Sequence, residues 1–106
     1  MKKLLSILLF LALVFSSCES HVVEDSSTCD PDISFAQDVN PIMVASCLEC
    51  HSGTRFPDLR THDNINSNAT IIKSEVVTRS MPQGSTLSDE QIELISCWID
   101  NGALDN

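Results

Sequence analysis

Leu87-Ser88-Asp89-Glu90-Gln91-Ile92-Glu93-Leu94-Ile95-Ser96-Cys97-Trp98-Ile99-Asp100-Asn101-Gly102 decides the fold class of this 106-residue chain. Ser88 followed three residues later by Gln91 is a capping box, and Leu87 and Ile92 stand where a hydrophobic staple would join. Ile92, Ile95, Trp98 and Ile99 recur at helical spacing with Leu94 at their border, and Gly102 falls at the C-terminal stop. The stretch predicts an amphipathic helix.

Working outward, Phe35, Val39, Ile42 and Met43 also follow a helical period. Asn40-Pro41 reads as an N-cap with proline at the first helical position, so this helix is expected to start at Pro41 and run toward Cys50. Gly53 to Asp58 reads as a loop. Between Asp63 and Thr78 the apolar residues Ile65, Ile72, Val76 and Val77 predict one or two short helices, although Val76-Val77 would also suit a strand. The strong signals are all helical. The expected class is all-α.

The composition bounds the function. With 6 Lys and Arg against 15 Asp and Glu, the formal charge is −9, too few cations for a nucleic-acid surface. The length allows one domain and excludes a large multidomain enzyme.

Met1-Lys2-Lys3 is a short positive head, and Leu4 to Phe15 is apolar except for Ser6. Ser16, Ser17 and Cys18 complete the order of a secretory signal peptide over residues 1–17. Twelve positions are too few to span hydrocarbon, which needs about 20. Phe15-Ser16-Ser17-Cys18 resembles a bacterial lipobox, which implies lipidation of the Cys18 thiol and amine and a firm membrane anchor. Removal of 17 residues leaves 89, with a net charge of −11 and only Phe35, Phe56 and Trp98 as aromatics. So thin a core invites a disulfide, a metal or a cofactor. Residues 18–32 are acidic, Ser-rich and without period, and read as a tether to a domain of residues 33–106.

Cys47-Leu48-Glu49-Cys50-His51 carries the chemistry. Cys-x-x-Cys-His is the covalent attachment site of haem c. Two thiols three residues apart at a helix end share one face and can add to both vinyl groups of one porphyrin, and His51 then presents its imidazole to the iron. With 5 Cys and 3 His in the chain, the motif is expected by accident only about 0.005 times. Export fits, because haem c is attached outside the cytoplasm. A thioredoxin-like redox pair lacks its βαβ surroundings here, and a zinc site with Cys29 and Cys97 lacks a second close pair.

For the sixth iron position, Met81 in Arg79-Ser80-Met81-Pro82 is the leading candidate. It stands 30 residues beyond His51, far enough along the chain to cross to the other face of the porphyrin. His62 is the runner-up and His21 lies in the tether. Met43, one turn before Cys47, is expected to pack in the core.

Phe35, Val39-Asn40-Pro41-Ile42, Cys47, Cys50-His51-Ser52-Gly53, Met81-Pro82-Gln83-Gly84 and Leu87-Ser88 form a recognisable series. Trp98-Ile99-Asp100-Asn101-Gly102-Ala103 completes it, and the whole resembles a small monohaem class I cytochrome c over residues 33–104. The resemblance implies 3–5 short helices around one covalent haem c, with Phe35, Val39 and Met43 packed against Ile95, Trp98 and Ile99. It also implies His51 and Met81 as axial ligands. Phe56-Pro57-Asp58-Leu59 is similar to the family's Gly-Pro-x-Leu segment, which makes the Pro57 carbonyl the acceptor for the axial imidazole N–H. Setting aside Cys18, Cys47 and Cys50, two cysteines remain in an oxidising compartment. The implied fold would bring Cys29 and Cys97 together as a disulfide. The alternative is a buried apolar Cys97 and a free thiol at Cys29.

Met/His ligation fills both axial positions, which implies an electron carrier rather than an enzyme. The expected setting is the periplasmic or cell-surface face of a membrane, with the lipid anchor in the membrane and redox proteins as partners. The negative charge suits a partner with a basic patch, or serves solubility alone. The alternatives are a haem sensor or catalytic accessory domain with an open or displaceable distal site, and a zinc-stabilised interaction module.

Overall fold

Ser34 opens the first helical segment. Its hydroxyl accepts from the Gln37 backbone N–H at 3.3 Å, and its own N–H donates to Asp38 Oδ2 at 2.8 Å. The computed structural model, which describes residues 28–106, places a π-helical turn at Phe35–Val39. Helix α1 (Asn40–Ser46) follows directly. The signal peptide 1–17, Cys18, His21 and the tether up to residue 27 lie outside the described residues.

The expected start at Pro41 is therefore corrected, because the helical path begins six residues earlier. Asn40 makes no side-chain cap; its N–H donates to the Phe35 carbonyl as part of the wide turn. The physical reason lies in Pro41, which lacks an N–H and would strike the carbonyl four residues back in a continuous α-helix. A π-turn just before it relieves that contact, so the helix continues upstream and buries Phe35 and Val39. The far end is corrected too. Helix α1 stops at Ser46, and residues 47–50 form a turn closed by the Cys50 and His51 N–H groups on the Cys47 carbonyl, at 3.2 and 3.0 Å.

Between Asp63 and Thr78 the chain forms two helices, α2 (His62–Ser67) and α3 (Ala69–Val77), so Val76-Val77 is helical and not strand. Thr61 caps α2, and Asn68 separates the pair. Helix α4 (Asp89–Asp100) has both hydrogen bonds of the Ser88–Gln91 capping box. Its end is a Schellman turn: Ala103 N–H reaches the Trp98 carbonyl at 2.9 Å and Gly102 N–H that of Ile99 at 3.0 Å. Gly102 sits at φ +106° inside it, a conformation glycine adopts without strain. Four α-helices, one π-turn and no strand make the described residues all-α. No helix among them is long and apolar enough to cross a membrane.

The core lies where the π-turn and α1 meet α4. Val39, Met43, Ile95 and Trp98 are at most 1% exposed, and Ile65 joins them from α2. Phe35 stacks on Trp98 with ring centroids 5.3 Å apart, and His62 meets Phe35 edge-on at 4.9 Å. The Trp98 indole donates to the Leu104 carbonyl at 2.9 Å, so its one polar group is satisfied. Cys29 and Cys97 are joined, with S–S 2.14 Å across 68 residues. Asn101 also donates to the Asp30 carbonyl at 2.8 Å, which fastens the last part of the expected tether to α4.

Candidate functional site

A cavity of about 420 Å³ lies beside this core and shares Leu59, Ile72 and Val76 with it, within the range of pockets for sizeable organic ligands. Its floor is Cys47, Cys50 and His51, at the turn after α1. One wall is α3, through Ile72, Glu75 and Val76. The other comes from two loops, one with Phe56 and Pro57 and the other with Met81 and Pro82. The four residues expected to hold haem c thus line one space.

His51 is oriented by the first loop. The Leu59 N–H bonds the His51 carbonyl at 2.8 Å, closing the loop, and His51 Nδ1 donates to the Pro57 carbonyl at 2.9 Å. A carbonyl can only accept, so the proton belongs on Nδ1 and the lone pair on Nε2. That tautomer is the one a ligating histidine needs. Gly53 turns the loop at φ +104°, where a Cβ would come within 2.9 Å of the Arg60 guanidinium. Arg60 is held by Asp58 at 2.7 Å, and this bond keeps the Asp58 carboxyl below the usual carboxylate range.

Burial pushes the Cys47 thiol up. Burial thus disfavours the Cys47 thiolate, the form that attacks in disulfide exchange. Among the described residues no three of His, Cys, Asp and Glu converge as a metal cluster, and Cys29 and Cys97 are bonded to each other. The cysteines that a zinc site would have recruited stand elsewhere.

Met81 is positioned by the end of α3. Ser80 N–H reaches the Glu75 carbonyl at 2.9 Å and Arg79 N–H that of Val76 at 3.1 Å, a second Schellman turn, which also takes in the Met81 N–H at 3.2 Å. Its left-handed position is Arg79, at φ +59°. A non-glycine residue there costs about 1–2 kcal/mol. The Arg79 side chain donates to the Leu87 carbonyl at 3.1 Å and to Asp89, so it clasps both ends of the loop that carries Met81. Sequence reasoning missed Arg79, since glycine is the usual sign of such a turn.

The other ligand candidates do not line the cavity. His62 donates Nε2 to the Ala103 carbonyl at 2.8 Å within the aromatic cluster, and Met43 is in the core as expected. Phe56 and Ile71, both lining residues, are exposed at 81% and 47%.

Comparison of the chain with protein-family models, with curated proteins and with solved structures returned no match.

Proposed function

We propose that this chain is a monohaem electron carrier of the class I cytochrome c type, lipid-anchored outside the cytoplasm. The observation that carries the reading is the convergence of Cys47, Cys50, His51 and Met81 on one cavity, with His51 Nδ1 turned to the Pro57 carbonyl. The donors fit haem c: two thiols for the vinyl groups, an imidazole with its lone pair on Nε2, and a soft thioether. Apolar walls from Leu59, Ile72 and Val76 suit a porphyrin face.

The bound group would supply one-electron cycling of its iron, with no bond chemistry demanded of the protein. The chain's own residues would do the rest. Cys47 and Cys50 would hold the group covalently. The Pro57 carbonyl would fix the orientation of the His51 ring, leaving Nε2 to the ligand. Met81 would offer its thioether as a soft donor, which favours the reduced state. Export and anchoring rest on residues 1–18, and the charge of −11 on the processed chain favours a partner with a basic surface.

The test is the visible spectrum of protein matured in a host able to attach haem c. Covalent haem and a methionine-to-iron charge-transfer band in the oxidised protein are expected. Met81→Ala is expected to keep the haem, abolish that band and admit carbon monoxide. Absence of covalent haem from the wild type overturns the proposal.

A further inference from the structure

The four cations of residues 28–106 are not disposed alike. Arg60 is bound to Asp58, Lys73 to Asp100 and Arg79 to Asp89. Twelve carboxylates lie in the same stretch, yet Arg55 pairs with none among the described residues. It is exposed instead at the cavity, as the one cationic side chain of Lys or Arg type in its lining. Glu49 and Glu75 line the same space.

From this placement we infer that Arg55 is the binding residue for carboxylate groups of the cavity's ligand, which on the haem reading are the two porphyrin propionates. The inference rests on that reading and adds a contact to it. A dicarboxylate entering beside Glu49 and Glu75 meets two like charges, and among the described residues Arg55 is the only guanidinium that can offset them from the lining. Its planar fork matches a carboxylate with two parallel hydrogen bonds, which an ammonium cannot reproduce. The surrounding loop is already anchored by the His51–Leu59 and Asp58–Arg60 bonds, so only the Arg55 side chain has to be ordered on contact.

The experiment compares wild type, Arg55→Gln, Arg55→Lys and Lys73→Gln, each as the haem-loaded protein. Lys73→Gln removes the same charge from a cation that does not line the cavity. The readouts are the propionate bending modes in resonance Raman spectra and the midpoint potential. Arg55→Gln is expected to shift the propionate modes and to raise the ferric-to-ferrous ratio at fixed applied potential about threefold, ~28 mV for one electron, through loss of a screened positive charge. Arg55→Lys is expected to keep the potential and still shift the modes, and Lys73→Gln to leave the modes alone. Unchanged modes in Arg55→Gln, with haem attached and methionine-ligated, overturn the inference and leave the functional reading intact. A wild type without covalent haem overturns the reading itself.

Discussion

The face where the π-turn and α1 meet α4 and the face that α3 and two loops turn to the cavity are built on different principles. On the first, Val39 and Ile95 are fully buried, and Trp98 is packed and hydrogen-bonded. A covalent bridge fastens α4 to Cys29. On the second, apolar side chains such as Phe56 and Ile71 stand at the edge of a hollow, and order comes from backbone clasps. The difference teaches that the first face is closed by the chain's own side chains, while the second leaves a hollow, which on the proposed reading a haem would fill.

The largest expected effect breaks that second face. Cys47→Ser with Cys50→Ser is expected to remove all covalent haem, seen as loss of haem stain on denaturing gels. Circular dichroism and amide exchange should show lost helicity, with α2 and α3 exchanging faster than α4. Equal exchange rates across the three helices would erase the contrast between the faces.

Attacking the first face comes next. Trp98→Ala empties the largest buried side chain and is expected to cost about 3–5 kcal/mol, read from the denaturant midpoint at unchanged haem content. Cys29→Ser with Cys97→Ala is expected to cost up to about 4 kcal/mol from the released 68-residue loop. The loss should be smaller in holoprotein, where attached haem already restrains the unfolded chain. Comparing midpoints of the two forms, with and without reductant, checks the order.

The smallest effect sharpens the comparison. Arg79→Gly removes the clasp on Leu87 and Asp89 but relaxes the positive φ, so stability should change by less than about 1 kcal/mol. Carbon monoxide should nevertheless displace Met81 faster, as stopped-flow absorbance would measure. An unchanged rate would show that the second Schellman turn alone holds the loop.

Much of the first face was legible in the sequence. The α4 signals at Ser88, Gln91 and Gly102 are local, and each governs its own turn. The start of the first helix was not, because Asn40-Pro41 imitates a helix N-terminus. Burial of Phe35 and Val39 against α4 extends the helix through a π-turn that no local pattern announces; Ser34 and Asp38, which hold its start, are the nearest signal. Of the site, Cys47, Cys50 and His51 are legible because the motif's spacing is its chemistry. Met81 is legible as the methionine of a loop 30 residues past His51, whereas Pro57 came through the family resemblance. Arg79 and Arg55 were invisible, since their meaning depends on where two loops close in space.

The bond between Cys29 and Cys97 also bears on how the domain meets mechanical force. Pulled from residues 28 and 106, the chain between the two cysteines lies inside a covalent ring and carries almost no tension. Only residues 98–106 can stretch, about 30 Å of contour. A tug on the N-terminal side would therefore be taken up at α4 and the chain's last residues, while the walls of the cavity stay slack.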